Sequence, residues 1–290
     1  MDAGALRSTD AEGGTVLHLA SAKRHATAAE IILLLVNAMT EEQLGIRNCR
    51  GETAVNVVLG RYTRPLPAAV RMIMGTPPGV RDEWQEECRE VTRAIVSKMD
   101  EEGVFESTDR QGPPAIYLVT RRWQLSALDV ILERFAEYMD SHPDLYGCLF
   151  KTATLTGDWE FHDDSTEATL LQLLDHASEQ TLTQENFLYS LIFRGFPTSV
   201  IIGVLERTPD VRLIARGPRD NVLHAIADTG REELLDAILP HVEPALFTQE
   251  KATGGRTPRE CALLKHQRSG RDEYLRIASR LQTFVKSAAE

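Results

Sequence analysis

The feature that most restricts what this chain can fold into is a short segment that recurs along it. Gly13-Gly14-Thr15-Val16-Leu17-His18-Leu19-Ala20 stands near the start, and Asn221-Val222-Leu223-His224-Ala225-Ile226 repeats its Leu-His core. Gly255-Arg256-Thr257-Pro258 and Gly51-Glu52-Thr53-Ala54-Val55 are further copies, the second with Asn56 in the histidine place. With the Thr place as index, a glycine recurs nine residues later: Gly230 after Asn221, Gly195 after Asn186 and Gly157 after Cys148. Pro114 joins more loosely, through Gly112, Ile116 and Tyr117. The index positions are 15, 53, 114, 148, 186, 221 and 257, spaced by 38, 61, 34, 38, 35 and 36 residues. A period of that size marks a supersecondary unit that buries its apolar face only against its neighbours. The competing reading is an irregular all-helical domain with two chance Leu-His pairs; the glycine recurring at independent positions argues against it.

Each index position is followed by an apolar cluster at three- and four-residue steps, as a one-sided buried helix requires. The clusters are Ile31-Ile32-Leu34-Leu35, Val91-Ile95-Val96, Val130-Ile131-Phe135, Leu170-Leu171-Leu174, Val200-Ile201-Val204-Leu205, Leu234-Leu235-Ile238 and Leu275-Ile277-Leu281. Turn formers separate cluster from next index at Arg47–Gly51, 216–220 and 252–255. The 61-residue spacing holds an insertion at about 61–84, rich in Pro and Gly, with a short helix of its own expected over Pro65–Met74 and the delayed second helix over Asp82–Met99. Strand content is expected to be very low.

The segment around Thr15 resembles the Gly-x-Thr-Pro-Leu-His-x-Ala of ankyrin repeats, with Val16 in place of proline, and Thr257-Pro258 keeps the Thr-Pro pair. The spacings lie just above the 33 residues of that repeat. The resemblance runs from about Ala11 to Val285 and implies an all-α, ankyrin-like helical repeat solenoid with projecting turns. It implies one repeat domain over 1–290, of about seven units, with the insertion in the second. It assigns Thr15, Leu17, His18, Thr53, Leu223, His224, Thr257 and Pro258 to the structural repeat motif. His18 and His224 are then expected to bond to the backbone of the neighbouring unit, not to act in catalysis.

Composition narrows the function. The net charge is -11 and 6% of residues are aromatic, which disfavours nucleic-acid binding along a basic, aromatic-rich strip. The longest apolar run, Ile31 to Val36, is far below the roughly 20 residues of a membrane span. The N-terminus lacks the basic-then-apolar pattern of a secretory signal. Cys49, Cys88, Cys148 and Cys261 are too far apart for a zinc knuckle and read as reduced, mostly buried thiols of an intracellular protein, cytoplasmic or nuclear, or in a host cytosol if delivered there. Phosphate-binding glycine loops and a nucleophile elbow are absent, so no cofactor is implied. The densest chemical cluster, Asp158-Trp159-Glu160-Phe161-His162-Asp163-Asp164, offers carboxylates beside a histidine but no calcium-loop glycine. It reads as a solvated loop with Asp163, Asp164 or Ser165 capping a helix from about Thr166. A cryptic enzyme or metal site there is the alternative.

A helical repeat array binds another protein along its concave face. The resemblance places the variable contacts at four, three and one residue before the index and at seven and eight after it. Basic residues there are Lys23, Arg50, Arg61, Arg110, Arg121, Arg122, Arg194, Arg256 and Lys265; acidic ones are Glu12, Glu52, Asp144, Glu185, Asp220 and Asp228. Trp123, Leu155 and Phe193 add apolar anchors. The expected function is a non-catalytic scaffold or adaptor, monomeric, whose protein partner presents an acidic segment to the second and third units.

Overall fold

The computed structural model describes residues 3–22, 28–59, 80–106, 115–121, 125–156, 164–183, 187–208, 220–250 and 254–287. Among these described residues the protein is all-helical. Extended pairing is limited to two isolated antiparallel pairs, Thr9 opposite Thr15 and Arg47 opposite Thr53. No helix among them is long and apolar enough to cross a membrane.

Those two pairs close the same turn, built twice. In the first copy Asp10 Oδ1 accepts the Glu12 and Gly14 N–H groups at 2.9 and 2.8 Å, and Gly13 N–H donates to the Asp10 carbonyl. In the second, Asn48 Oδ1 accepts from Arg50 and Glu52 at 2.9 and 3.0 Å, and Gly51 N–H donates to the Asn48 carbonyl. Asp and Asn suit this place because a short side-chain oxygen satisfies backbone donors two and four residues on. Gly13 and Gly51 take φ of 74° and 80°, a left-handed conformation that an L side chain enters at a cost. The turns also touch: Cys49 N–H donates to the Glu12 carbonyl at 2.7 Å.

The chain forms two compact units, Met1–Leu145 with Thr156–Thr169, and Tyr146–Leu155 with Leu170–Glu290. The first contains α1 (Ala3–Arg7), α2 (Val16–Ala22), α3 (Ala28–Ala38), α4 (Glu41–Leu44), α5 (Ala54–Val57), α6 (Val80–Val96), a π-helical turn (Glu102–Glu106), α7 (Ala115–Arg121), α8 (Leu125–Arg134) and α9 (Ala136–Ser141). Two rows of helices organise it. α5 packs on α2 and α7; α6 packs on α3 and α8; α2 pairs with α3, and α7 with α8. α3 is representative: Ala28, Ala29, Ile32, Leu35 and Val36 are buried on one side. Full burial of each large aliphatic among them stabilises by about 1.5–3 kcal/mol. Lys98, just past α6, donates to the Asn37 and Met39 carbonyls at 2.7 and 2.8 Å, satisfying the C-terminal end of α3.

The second unit takes residues 146–155 of α10 (Asp144–Thr156) and 170–176 of α11 (Asp164–His176). It continues with α12 (Glu179–Leu182), α13 (Phe187–Phe193), α14 (Thr198–Arg207), α15 (Val222–Thr229), α16 (Leu235–Ile238), α17 (Ala245–Thr248), α18 (Pro258–Ser269) and α19 (Asp272–Ser287). Two rows recur: α15 lies between α13 and α18, while α14 packs on the Glu232–Ile238 stretch, whose first turn also packs on α19. Arginines repeat the role of Lys98. Arg207 donates to the Leu174 and Asp175 carbonyls, Arg194 to that of Thr154, and Arg231 to that of Phe196.

Several expectations shift. α6 begins at Val80, before the expected Asp82, because Pro77, Pro78 and Gly79 are the last helix breakers and nothing after them stops the helix. The expected helix over 65–74 lies outside the described residues, as does most of the expected insertion at about 61–84. α10 starts at Asp144, next to Pro143, so Cys148 lies inside a helix and not at its cap. α11 begins at Asp164, two residues ahead of Thr166. The apolar cluster at 234–238 forms a broken helix, α16 between 3-10 turns at Glu232–Leu234 and Leu239–His241, with Pro240 in the second. Cys88 and Cys261 are buried, but Cys49 and Cys148 are exposed, because each falls on a turn or the outer side of a helix.

The glycine nine residues after the index terminates the first helix. Gly230 caps α15 at φ 78° with its N–H on the Ile226 carbonyl, and Gly195 follows α13 at φ 79°. A Cβ on Gly230 would lie 2.9 Å from Glu273 Oε1 and 3.0 Å from the Tyr274 ring. Gly230→Ala is expected to lower unfolding stability by about 1–2 kcal/mol through the left-handed conformation alone, with the contacts adding to it. Urea denaturation followed by circular dichroism measures the loss; an unchanged midpoint would refute the assignment.

Candidate functional site: a protein-binding surface

The repeat-motif residues form an interior joint. Thr15 is fully buried and His18 nearly so. His18 Nδ1 accepts the Thr15 N–H at 3.1 Å, which leaves Nε2 as the protonated nitrogen. Nε2–H then donates to the Glu52 carbonyl at 3.1 Å, thirty-four residues on. The second joint has the same wiring. His224 Nδ1 accepts from Asn221 N–H at 3.2 Å, and Nε2–H donates to the Arg256 carbonyl at 3.0 Å, thirty-two residues on. Asn221 caps α15 by accepting from Leu223 and His224 N–H, and its amide donates to the Leu246 carbonyl and Gln249. Leu17 and Leu223 are fully buried beside the histidines. Each histidine thus bonds to a backbone carbonyl more than thirty residues on.

The other index positions cap helices. Thr53 Oγ1 accepts from Asn56 N–H at the start of α5. Thr257 Oγ1 accepts from Glu260 N–H, Glu260 Oε2 accepts the Thr257 N–H at 2.9 Å, and Pro258 fills the first helical position, where no N–H is needed. These bonds from Thr257 hold the Glu260 carboxyl below its usual range. Asn56 stands in the histidine place of its segment but is too short to bridge. Its side-chain amide is buried, and neither Oδ1 nor Nδ2 has a partner.

The expected partner contacts are spread over turns and helices. Arg50 is exposed on the Asn48–Gly51 turn, and Arg256 is exposed beside Thr257. Phe193 is 54% exposed at the end of α13 and stacks on Tyr189, ring centroids 5.8 Å apart and planes within 8°. Arg194 follows it, exposed, with Nη1 on the Thr154 carbonyl; Asp228 and Lys265 are half-buried at the matching positions of α15 and α18. Because α13, α15 and α18 pack side by side, Phe193, Arg194, Asp228 and Lys265 occupy equivalent positions of adjacent helices. The backbone of Arg121 lies on α7 and that of Leu155 on α10. Lys23, Arg61, Arg110, Arg122 and Trp123 lie outside the described residues, and so do residues 158–163 of the acidic cluster. Among the described residues, no group of three or more His, Cys, Asp or Glu side chains is placed to hold a metal ion.

Two surface features were not anticipated. Tyr189 sits in the histidine place of its segment, yet it turns partly outward and supports Phe193. Val16, Leu19, Ile31 and Leu34 are exposed on α2 and α3. The signal for the latter was the unbroken apolar run Ile31–Val36, more than a helix with one buried side can hide. One half-buried ion pair ties α6 to α8: Arg89 with Asp129, with Glu86 also near Arg89. Burial pushes the Asp129 carboxyl above its ordinary range, against the pull of Arg89, with Glu133 adding a smaller push upward.

No known family profile matches the chain, and no curated protein matches it in sequence.

His224→Ala removes a buried side chain and orphans Asn221 N–H and the Arg256 carbonyl. The expected cost is about 2–4 kcal/mol in chemical denaturation, from the lost bonds and the cavity. A cost within error of an exposed substitution would refute the joint. The Asp129 carboxyl is expected to titrate above the ordinary Asp value of about 3.9, and Arg89→Met to raise it further. Because the folded carboxyl holds its proton more tightly, the stability it contributes is greatest below the ordinary range. That contribution is lost as pH rises through the folded value. NMR titration of the Asp129 carboxyl decides; a midpoint that falls in Arg89→Met contradicts the assignment.

Proposed function

We infer that this chain is a non-catalytic protein-binding module built of ankyrin-like repeats. One observation carries the reading: histidines at the same place of two segments bond to the backbone of the segment that follows, at separations of 34 and 32 residues. A chemical group placed identically in separate copies, each time bonded to backbone in the interior, serves stacking; a reaction centre needs one exposed constellation. The twice-built turn and the paired rows of helices in each unit support the same reading.

In such arrays the first helices and projecting turns carry recognition, because the scaffold holds them rigid and their exposed residues are free to vary. Here those places present Arg50 and Arg256 on turns, Phe193 at the end of a first helix and Arg194 just after it. Arg121 and Arg122 extend the basic set in the sequence. The partner is a protein with an acidic segment and an apolar anchor residue. Guanidinium forks pair with its carboxylates, and the Tyr189–Phe193 pair offers the anchor a flat apolar seat.

The test is capture of binding proteins from a cell lysate by the wild-type chain, then kinetics with each captured protein. Arg121→Glu/Arg122→Glu and Arg50→Glu are compared with wild type. Both reversals are expected to weaken binding, chiefly by slowing association, with the larger difference at low salt. Affinity at low salt that neither reversal changes counts against this surface.

A further inference from the structure

Three residues after the index, the buried occupants among the described residues are His18, Asn56 and His224. The two histidines reach a carbonyl of a later segment. Asn56 reaches nothing: its side chain is 3% exposed, and neither Oδ1 nor Nδ2 has a partner. A donor and an acceptor sealed in this way both lose their hydration without replacement. α5, which carries them, is one turn of four residues, against eight in α15 and twelve in α18. A helix that short holds only through its packing, here on α2 and α7. The turn just before it is tied down instead. His18 Nε2–H donates to the Glu52 carbonyl at 3.1 Å, and Cys49 N–H to that of Glu12 at 2.7 Å. Arg47 Nη1 donates to the Gly51 carbonyl at 2.8 Å, and Asn48 Nδ2 to Glu52 Oε2 at 3.0 Å.

We propose that α5 is a built-in opening point of the first unit: it leaves its place between α2 and α7 while the turn before it stays docked on His18 and on the first turn. The boundary falls at Thr53, where the bond from Asn56 N–H to Thr53 Oγ1 is the last cap contact and breaks on opening. Two opposed terms set the balance. Ala54, Val55, Val57, Val58 and Leu59 are buried and hold α5 in place. The Asn56 amide works against them, because on opening water supplies both of its atoms with partners. Five apolar side chains outweigh one amide, so the closed form predominates. Opening nevertheless costs less than unfolding the whole unit, since the anchored turn, α2 and α3 keep their own contacts. The open form presents Val55, Val57, Val58 and Leu59 to solvent. The inference does not depend on the partner-binding reading, because it uses no residue assigned to that surface.

Native-state hydrogen exchange of the full chain, read by NMR at a series of low urea concentrations, tests it. Val57 N–H bonds to the Thr53 carbonyl, and Val58 N–H to those of Ala54 and Val55, so both report α5. Cys49 N–H reports the turn, and Leu19 N–H, on the Thr15 carbonyl, reports α2. Protection at Val57 and Val58 is expected to be lower than at Cys49 and Leu19 by about tenfold or more, through an opening that urea barely promotes because little surface is exposed. Asn56→Leu keeps the shape of the side chain and removes its polar atoms. It is expected to slow exchange at Val57 and Val58 by about tenfold or more. Asn56→Asp, which puts a charge in the same place, speeds it. Val57 and Val58 sharing the protection of Cys49 and Leu19 at every urea concentration would overturn the proposal. So would an Asn56→Leu chain in which exchange at Val57 and Val58 is unchanged or faster.

Discussion

The bond from a buried histidine to a backbone carbonyl more than thirty residues away is the interaction on which the rest of the arrangement depends. A pair of short helices has two sides to cover and cannot cover both alone. α2 and α3 bury Leu17, Ile32 and Val36 only because α5 and α6 lie against them. Packing of that kind is forgiving along the helix axis, since an aliphatic surface tolerates small slides. The His18 and His224 bonds are not forgiving. Each fixes the imidazole tautomer through an N–H of its own segment and then reaches one carbonyl of the next. They set the register at which the apolar surfaces meet.

Where the histidine is missing, other chemistry occupies the junctions. Arg194, Arg207 and Arg231 each reach back to carbonyls at or just beyond the end of an earlier helix, and Lys98 does the same at the junction that His18 also bridges. A cation there satisfies an acceptor that the helix leaves open and complements the negative end of its dipole. Arg231 is the most enclosed, also bonded to Thr198 and Glu233. Asn56 lacks such a substitute. Its buried, unpartnered amide is a net cost to α5, because a polar group taken from water without a partner loses the full hydration it had. The segment is held instead by its neighbours Ala54, Val55, Val57 and Val58, all buried.

Surface chemistry follows from the same architecture. Helix pairs spend their apolar residues on one another, which leaves turns and helix ends exposed. That is where Arg50, Phe193 and Arg194 stand. Leu34 on α3 and Phe284 on α19 are exposed as well.

Much of the fold was legible because it rests on local rules. Gly13, Gly51 and Gly230 were readable as turn and cap positions since few other residues adopt their backbone angles. Thr257-Pro258-x-Glu260 reads as a helix start for the same kind of local reason. Helical character followed from three- and four-residue apolar spacing. Helix ends were less legible where breakers were absent: α10 extends back to Asp144 through the expected index at Cys148, because nothing between them interrupts it. The sequence by itself thus determined that the described residues are helical. Only the tertiary structure decided which carbonyls His18 and His224 reach, that Tyr189 is half-buried beside Phe193 while Asn56 is sealed in, and which side of α3 lies bare. Those outcomes depend on which helix lies against which, and a pattern along one helix does not contain its neighbour.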